Sequence, residues 1–289
     1  MKRSNRILSL FLGYWLLLIG PANATPIPWT QEIKMGMSPW TSGNVLQEWV
    51  TPFAEWVKEE TGLPIIVSSS GTFEQYLLDG IAGQYDFMQV PVHMGLYLID
   101  HHGFEGIMVL RAQVNVYALA TEKSGIRSLK GLAGKTVLLP DPLTYSAMYA
   151  QEKLQSVDKV RVRFAHNHWG VLNELIQQTA DAGFMVSVLY QGLNRDMKAR
   201  FRVLHRSPLV LDTLYVVPPG TKDYQKILLQ KNMTKVRPNK GLVIRQIDVL
   251  SSDELGYWRR KMQPYVQQLE HLMAPSMIEN RQGPAVAAP

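Results

Sequence analysis

The chain has 289 residues, 46% of them hydrophobic and 19% charged. That suffices for one large domain or two small ones and gives no sign of bulk disorder. The formal net charge of +6 and the absence of cysteine exclude disulfides, thiol chemistry, cysteine metal sites and a lipid anchor on cysteine, and no Arg/Lys stripe with interleaved aromatics calls for nucleic acid.

Residues 1–24 have the three parts of a secretory signal. Lys2, Arg3 and Arg6 form a positive end, residues 7–19 an apolar run, and Ala22-Asn23-Ala24 a small-x-small cleavage site. The apolar run is too short to span a bilayer, which takes about 20 residues. Cleavage after Ala24 and a soluble mature protein outside the cytoplasm are therefore expected.

Residues 32–37 read as a first strand, ending at Ser38-Pro39-Trp40-Thr41. Residues 43–61 follow as an amphipathic helix closed by Gly62, with Pro52 inside it predicting a kink or a later start. Residues 64–69 form a strand, 72–82 a helix and 85–90 a strand ending at Pro91. Residues 109–121 and 204–218 are two long strand-like runs. Between them lies a self-contained set: strand 135–139, a helix from Tyr145, strand 160–165, helix 167–179 and strand 183–188. Two long strands bracketing an inserted α/β unit predict two lobes with a ligand between them; one continuous doubly wound sheet is the alternative. The expected division is 25–115 for the first lobe, 116–205 for the second, and 206–289 for the return and C-terminal helices. In that last stretch, residues 251–273 read as a helix with a capping box from Ser251 to Glu254 and a bend at Pro264, and 283–289 as a frayed end.

The most informative stretch is residues 134–155. A short apolar strand is stopped by Pro140-Asp141-Pro142, and a helix starts at Thr144-Tyr145-Ser146. Unpaired N–H groups and the helix dipole at such a start attract anions, although Thr144 also suits a plain N-cap. Ser68-Ser69-Ser70-Gly71-Thr72 offers a second candidate cradle, through Ser70 and Thr72, or a plain capping loop. Trp40, just past a strand end, suits either a pocket wall or the core. His166-Asn167-His168 could chelate a metal from a strand, but no carboxylate or third histidine is placed nearby, so no metal or other cofactor is expected.

The strand, turn and helix of 134–155, with the segments TPFAEWVKEETGLPIIVSSSGTFEQYLLDGIAGQYDFMQV and VRVRFAHNHWGVLNELIQQTADAGFMVSVLYQGL on either side, resemble the phosphate/phosphite/phosphonate-type periplasmic solute-binding proteins over roughly residues 34–217. The resemblance implies an α/β, two-lobed periplasmic-binding-protein (type 2) fold, each lobe a mostly parallel sheet flanked by helices, joined by two crossing strands. It implies that Thr144, Tyr145 and Ser146 hold an oxyanion, that His168 contacts it and that Asn167 caps the next helix. It further implies a periplasmic monomer that delivers a small anion to the permease of an ABC transporter. A ligand-sensing module acting on a membrane signalling partner is the alternative. Phosphonate binders of this family carry a carboxylate after the strand that ends here in Gly183-Phe184-Met185-Val186-Ser187. This chain has no acid there, so a ligand with an ammonium group is not expected. The absence of a Gly-x-Ser-x-Gly elbow, a His-Glu-x-x-His helix and a Walker loop argues against an enzyme.

Overall fold

The computed structural model describes residues 32–40, 43–236 and 246–275. The signal-like segment and the end of the chain, 283–289, lie outside them. Among these residues eleven strands form two sheets. The first takes β1 (Ile33–Met37), β2 (Ile65–Ser68), β3 (Phe87–Pro91), β4 (Glu105–Val114), β10 (Val210–Val217) and β11 (Ile247–Val249), in the order β11-β4-β10-β3-β1-β2. The second takes β5 (Val116–Thr121), β6 (Thr136–Leu139), β7 (Arg161–Phe164), β8 (Ala182–Val186) and β9 (Phe201–Arg206), in the order β7-β6-β8-β5-β9. Two sheets replace the single doubly wound sheet kept as an alternative.

Both sheets are mixed. β1 pairs with β2 and β3 in parallel, and β6 with β7 and β8 likewise, as right-handed βαβ threading requires. The strands that pass between the sheets enter antiparallel: β10 against β3 and β4, and β5 against β8 and β9. Each long run expected from the sequence is in fact two strands in different sheets. The first breaks at Asn115, between β4 and β5, and the second at residues 207–209, between β9 and β10. These breaks are knitted together. Asn115 donates its side-chain N–H to the Ser207 carbonyl at 2.6 Å, and its backbone N–H to Ser187 Oγ at 3.1 Å. The Val116 N–H donates to Ser207 Oγ at 2.8 Å.

Nine helices cover the described parts of the sheets: α1 (Gly43–Thr61), α2 (Phe73–Ile81), α3 (Val92–His102), α4 (Tyr145–Leu154), α5 (His168–Gln177), α6 (Ser187–Gly192), α7 (Arg195–Lys198), α8 (Asp223–Met233) and α9 (Ser252–Met273). α1 starts at Gly43 and runs through Pro52, so the later start expected from that proline does not occur; α9 runs through Pro264 as one element. Ser251 caps α9, but Glu254 pairs with Arg111 instead of closing the capping box. No described helix is long and apolar enough to cross a membrane.

The period of two along β5 shows how the second sheet is covered on both faces. Val116, Ala118 and Ala120 pack with Ala147, Ala150 and Leu154 of α4; Tyr117 and Leu119 pack with Val171, Leu172 and Leu175 of α5. α5 approaches so closely that a Cβ on Gly183 would stand 2.5 Å from Val171 Cγ1. The first-sheet core gathers α2, α3 and α9, and also takes in Leu143 and Met148 from the second sheet's side. α9 ties the two halves on the outside. Arg259 binds Asp100 of α3 at 2.7 Å, and Tyr265 donates to Glu152 of α4 at 3.2 Å.

Candidate functional site

Strand ends of both sheets and the starts of five helices, α2 through Phe73 among them, surround one cavity of about 460 Å³. From the first sheet's side come Met37, Ser38 and Trp40 after β1, Gln89 and Pro91 of β3, Val92 and His93 opening α3, and parts of β4 and β10. From the second come Thr144, Tyr145 and Ser146 opening α4, His168 and Trp169 opening α5, and Val186 to Leu189 at the β8–α6 junction. Met262 of α9 adds to the wall. Five of the seven sequence-predicted residues are thus brought together: Trp40, Thr144, Tyr145, Ser146 and His168.

The other two are elsewhere. Ser70 donates to Asp79 at 2.6 Å and meets the Tyr85 hydroxyl at 2.9 Å, while Thr72 caps α2 by accepting from the Gln75 N–H. Neither lines the cavity. Short polar side chains ahead of a helix close first on their own backbone and helix, and here that local option wins. The metal reading of His166 and His168 also falls away. Asn167 between them is an N-cap rather than a strand residue, and His166 is exposed while His168 is buried, so the two rings do not share a face.

The two hydroxyls before α4 differ. Thr144 Oγ donates to the Asp141 carbonyl at 2.7 Å and accepts the Ala147 N–H at 3.3 Å, so it works as a cap. Ser146, at 1% exposure, has no side-chain hydrogen bond among the described residues. With Thr144 N–H bound to Asp141 and Ala147 N–H to Thr144, the helix leaves the N–H groups of Tyr145 and Ser146 for the cavity side. α5 repeats the pattern. Asn167 Oδ1 accepts from Gly170 N–H at 2.9 Å, which leaves the N–H groups of His168 and Trp169.

Among the described residues, two buried side-chain atoms lack any partner: Gln89 Oε1 and His168 Nδ1. Both residues line this cavity, and such orphans are uncommon in native proteins. Burial holds His168, at 4% exposure, well below the ordinary histidine range, to about 3, so its ring is neutral. His93 is likewise lowered by burial to about 4, and its Nε2–H donates to the Leu143 carbonyl at 2.9 Å, joining α3 to the turn before α4. Burial also pushes the Tyr145 phenol up to about 12. Among the described lining residues none is Asp, Glu, Lys or Arg, and helix N-termini supply positive potential there.

Gln89 and His93 were not expected as site residues. A polar residue inside the apolar run FMQVP, at the carboxyl end of a strand, was the signal for Gln89.

Solved structures with this fold include a binding protein component of an ABC phosphonate transporter from Pseudomonas aeruginosa, with TM-score 0.67 and 15% identity over 84% of this chain and 89% of that one. PhnD1 from Prochlorococcus marinus in complex with methylphosphonate gives 0.65 and 12% over 80% and 98%. XAC2383 from Xanthomonas citri bound to chloride ion gives 0.64 and 13% over 83% and 99%. No curated protein sequence matches the chain. A family described as ABC transporter, phosphonate, periplasmic substrate-binding protein matches residues 35–249, more than half of the chain. Members of such a family carry a small ligand to a membrane permease and are not enzymes. The chain belongs to the periplasmic phosphonate-binding family of ABC transporter substrate-binding proteins.

Proposed function

We propose that the chain captures an oxyanion of the phosphate, phosphite or phosphonate class in this cavity and delivers it to its permease. The observation that carries this reading is the meeting of the α4 and α5 N-termini in one cavity where His168 Nδ1 is buried without a partner. Each helix start presents about half a positive charge and free N–H donors. An oxyanion accepts the Tyr145 and Ser146 N–H groups, the Ser146 hydroxyl, the α5 N–H groups and a His168 Nδ1–H. Neutral donors in a site shielded from water suffice to hold it, since hydrogen bonds to an ionised acceptor are about twice as strong as neutral ones. Gln89 Oε1 only accepts, and so takes the proton of a singly protonated ligand.

Export by cleavage after Ala24, the absence of a lipid anchor, a monomeric state, and lobes divided at 25–115, 116–205 and 206–289 complete the proposal. Thermal unfolding with millimolar phosphate, phosphite or methylphosphonate tests it. Ligand at 100 times its dissociation constant stabilises by about 2.7 kcal/mol, a rise on the order of 5–10 °C for a chain this long. No rise with any of the three anions overturns the proposal for these ligands.

A further inference from the structure

The cavity is larger and more apolar than a bare oxyanion uses. We propose that its ligand carries a bulky, uncharged, apolar tail on the oxyanion head: a medium-chain alkyl or an aryl phosphonate, or the corresponding phosphate monoester. For the head, this rests on the function proposed above.

Three observations carry the tail. First is size. At about 30 Å³ per water-sized atom, 460 Å³ holds about fifteen such atoms, and a four-atom head leaves room for about ten more. Second is the wall. Trp40, Phe73, Leu110 and Leu211 line the cavity from the first sheet's side, and Leu189 and Leu193 from α6 and its end. A small anion would leave this wall facing trapped water, whereas a tail would remove apolar surface from water on both sides. Third is charge. Among the described side chains that line the cavity none is acidic or basic, so a second charge on the ligand would find no partner among them, and a buried unpaired charge is strongly unfavourable. An ammonium-bearing phosphonate and a dicarboxylate are both disfavoured on that ground.

Each buried methylene is expected to tighten binding about fourfold. The test is isothermal titration calorimetry on the exported chain with methylphosphonate, octylphosphonate, 2-aminoethylphosphonate and 1-octanol, each below its aggregation threshold. The expected result is octylphosphonate binding roughly 100-fold or more tighter than methylphosphonate, with 2-aminoethylphosphonate the weakest phosphonate and octanol well behind octylphosphonate. Methylphosphonate binding as tightly as octylphosphonate overturns the tail and leaves the oxyanion site standing. Octanol binding as tightly as octylphosphonate overturns the head, and with it the function proposed above. Binding of none of the four overturns both.

Discussion

Asn115 donates its side-chain N–H to the Ser207 carbonyl at 2.6 Å, joining the two connections at the place where each changes sheet. Any movement of one half against the other has to turn about this point, because β4 and β5 are separated by Asn115 alone.

Asn115→Ala is therefore expected to destabilise the fold by about 1–3 kcal/mol, the cost of a half-buried carbonyl left without its donor. That corresponds to a drop in melting temperature of roughly 2–4 °C per kcal/mol. In wild type, saturating ligand is expected to lower the radius of gyration in small-angle scattering. Identical curves with and without bound ligand would mean that the cavity fills without any turn about Asn115.

Thr144→Ala and Ser146→Ala separate capping from binding. Loss of the Thr144 cap is expected to cost about 1 kcal/mol of stability with the ligand-induced rise in melting temperature largely kept. Ser146→Ala is expected to change stability little and to weaken binding about tenfold, the worth of one hydrogen bond to a charged group. Calorimetry on both variants decides. The reverse pattern would make Thr144 the ligand hydroxyl.

Acid should unfold the protein through its two buried histidines. Burial lowers the folded-state values of His93 and His168 from 6.5 to about 4 and about 3. The unfolded chain therefore binds protons that the folded one refuses below pH 6.5. Their contribution is complete above pH 6.5 and is lost as pH falls, by roughly 2–3 kcal/mol each at pH 4.5. Urea unfolding at pH 7.5 and 4.5 is expected to show this loss, and a His93→Gln/His168→Gln variant to show much less of it. Equal losses in both proteins would assign the acid sensitivity to other groups.

Gly183→Val tests whether the position of α5 governs the site. The new side chain would press on Val171, where even a Cβ stands at 2.5 Å. Overpacking of this kind costs about 1–3 kcal/mol, and pushing α5 off β8 moves His168 with it. Weaker ligand binding is expected alongside the lower melting temperature. Unchanged affinity at reduced stability would detach the site from this contact.

The strand, turn and helix of 134–155 were legible because Pro140, Pro142 and Thr144 are local signals, each with its own physical cause. The two-sheet division was legible because an inserted α/β unit is bracketed by two long runs. α3 was not. Its N-cap is Pro91, with no side-chain cap, and nearly the whole of its first two turns is buried. It therefore shows no amphipathic stripe, and at Gly95 within it a Cβ would press on Val90 and Leu214. α8 and β11 were missed in a stretch where no strong periodicity announces an element. The mistaken weight given to Ser70 and Thr72 has the opposite origin. Their residue types suit an anion, but Asp79, Tyr85 and the Gln75 N–H claim them first. Gln89 carried a local signal, a polar residue within FMQVP, that went unused, whereas His93 could not be singled out, since what marks it is the Leu143 carbonyl it reaches across the fold.

An uncharged cavity also constrains how cargo leaves. No carboxylate, ammonium or guanidinium lines the walls among the described residues, and the two histidines stay neutral down to strongly acidic conditions. Added salt has little to screen there, and mild acidification titrates the ligand itself but none of these side chains. Unloading must then be mechanical: the transporter has to prise the halves apart and let water reach the donors at the starts of α4 and α5.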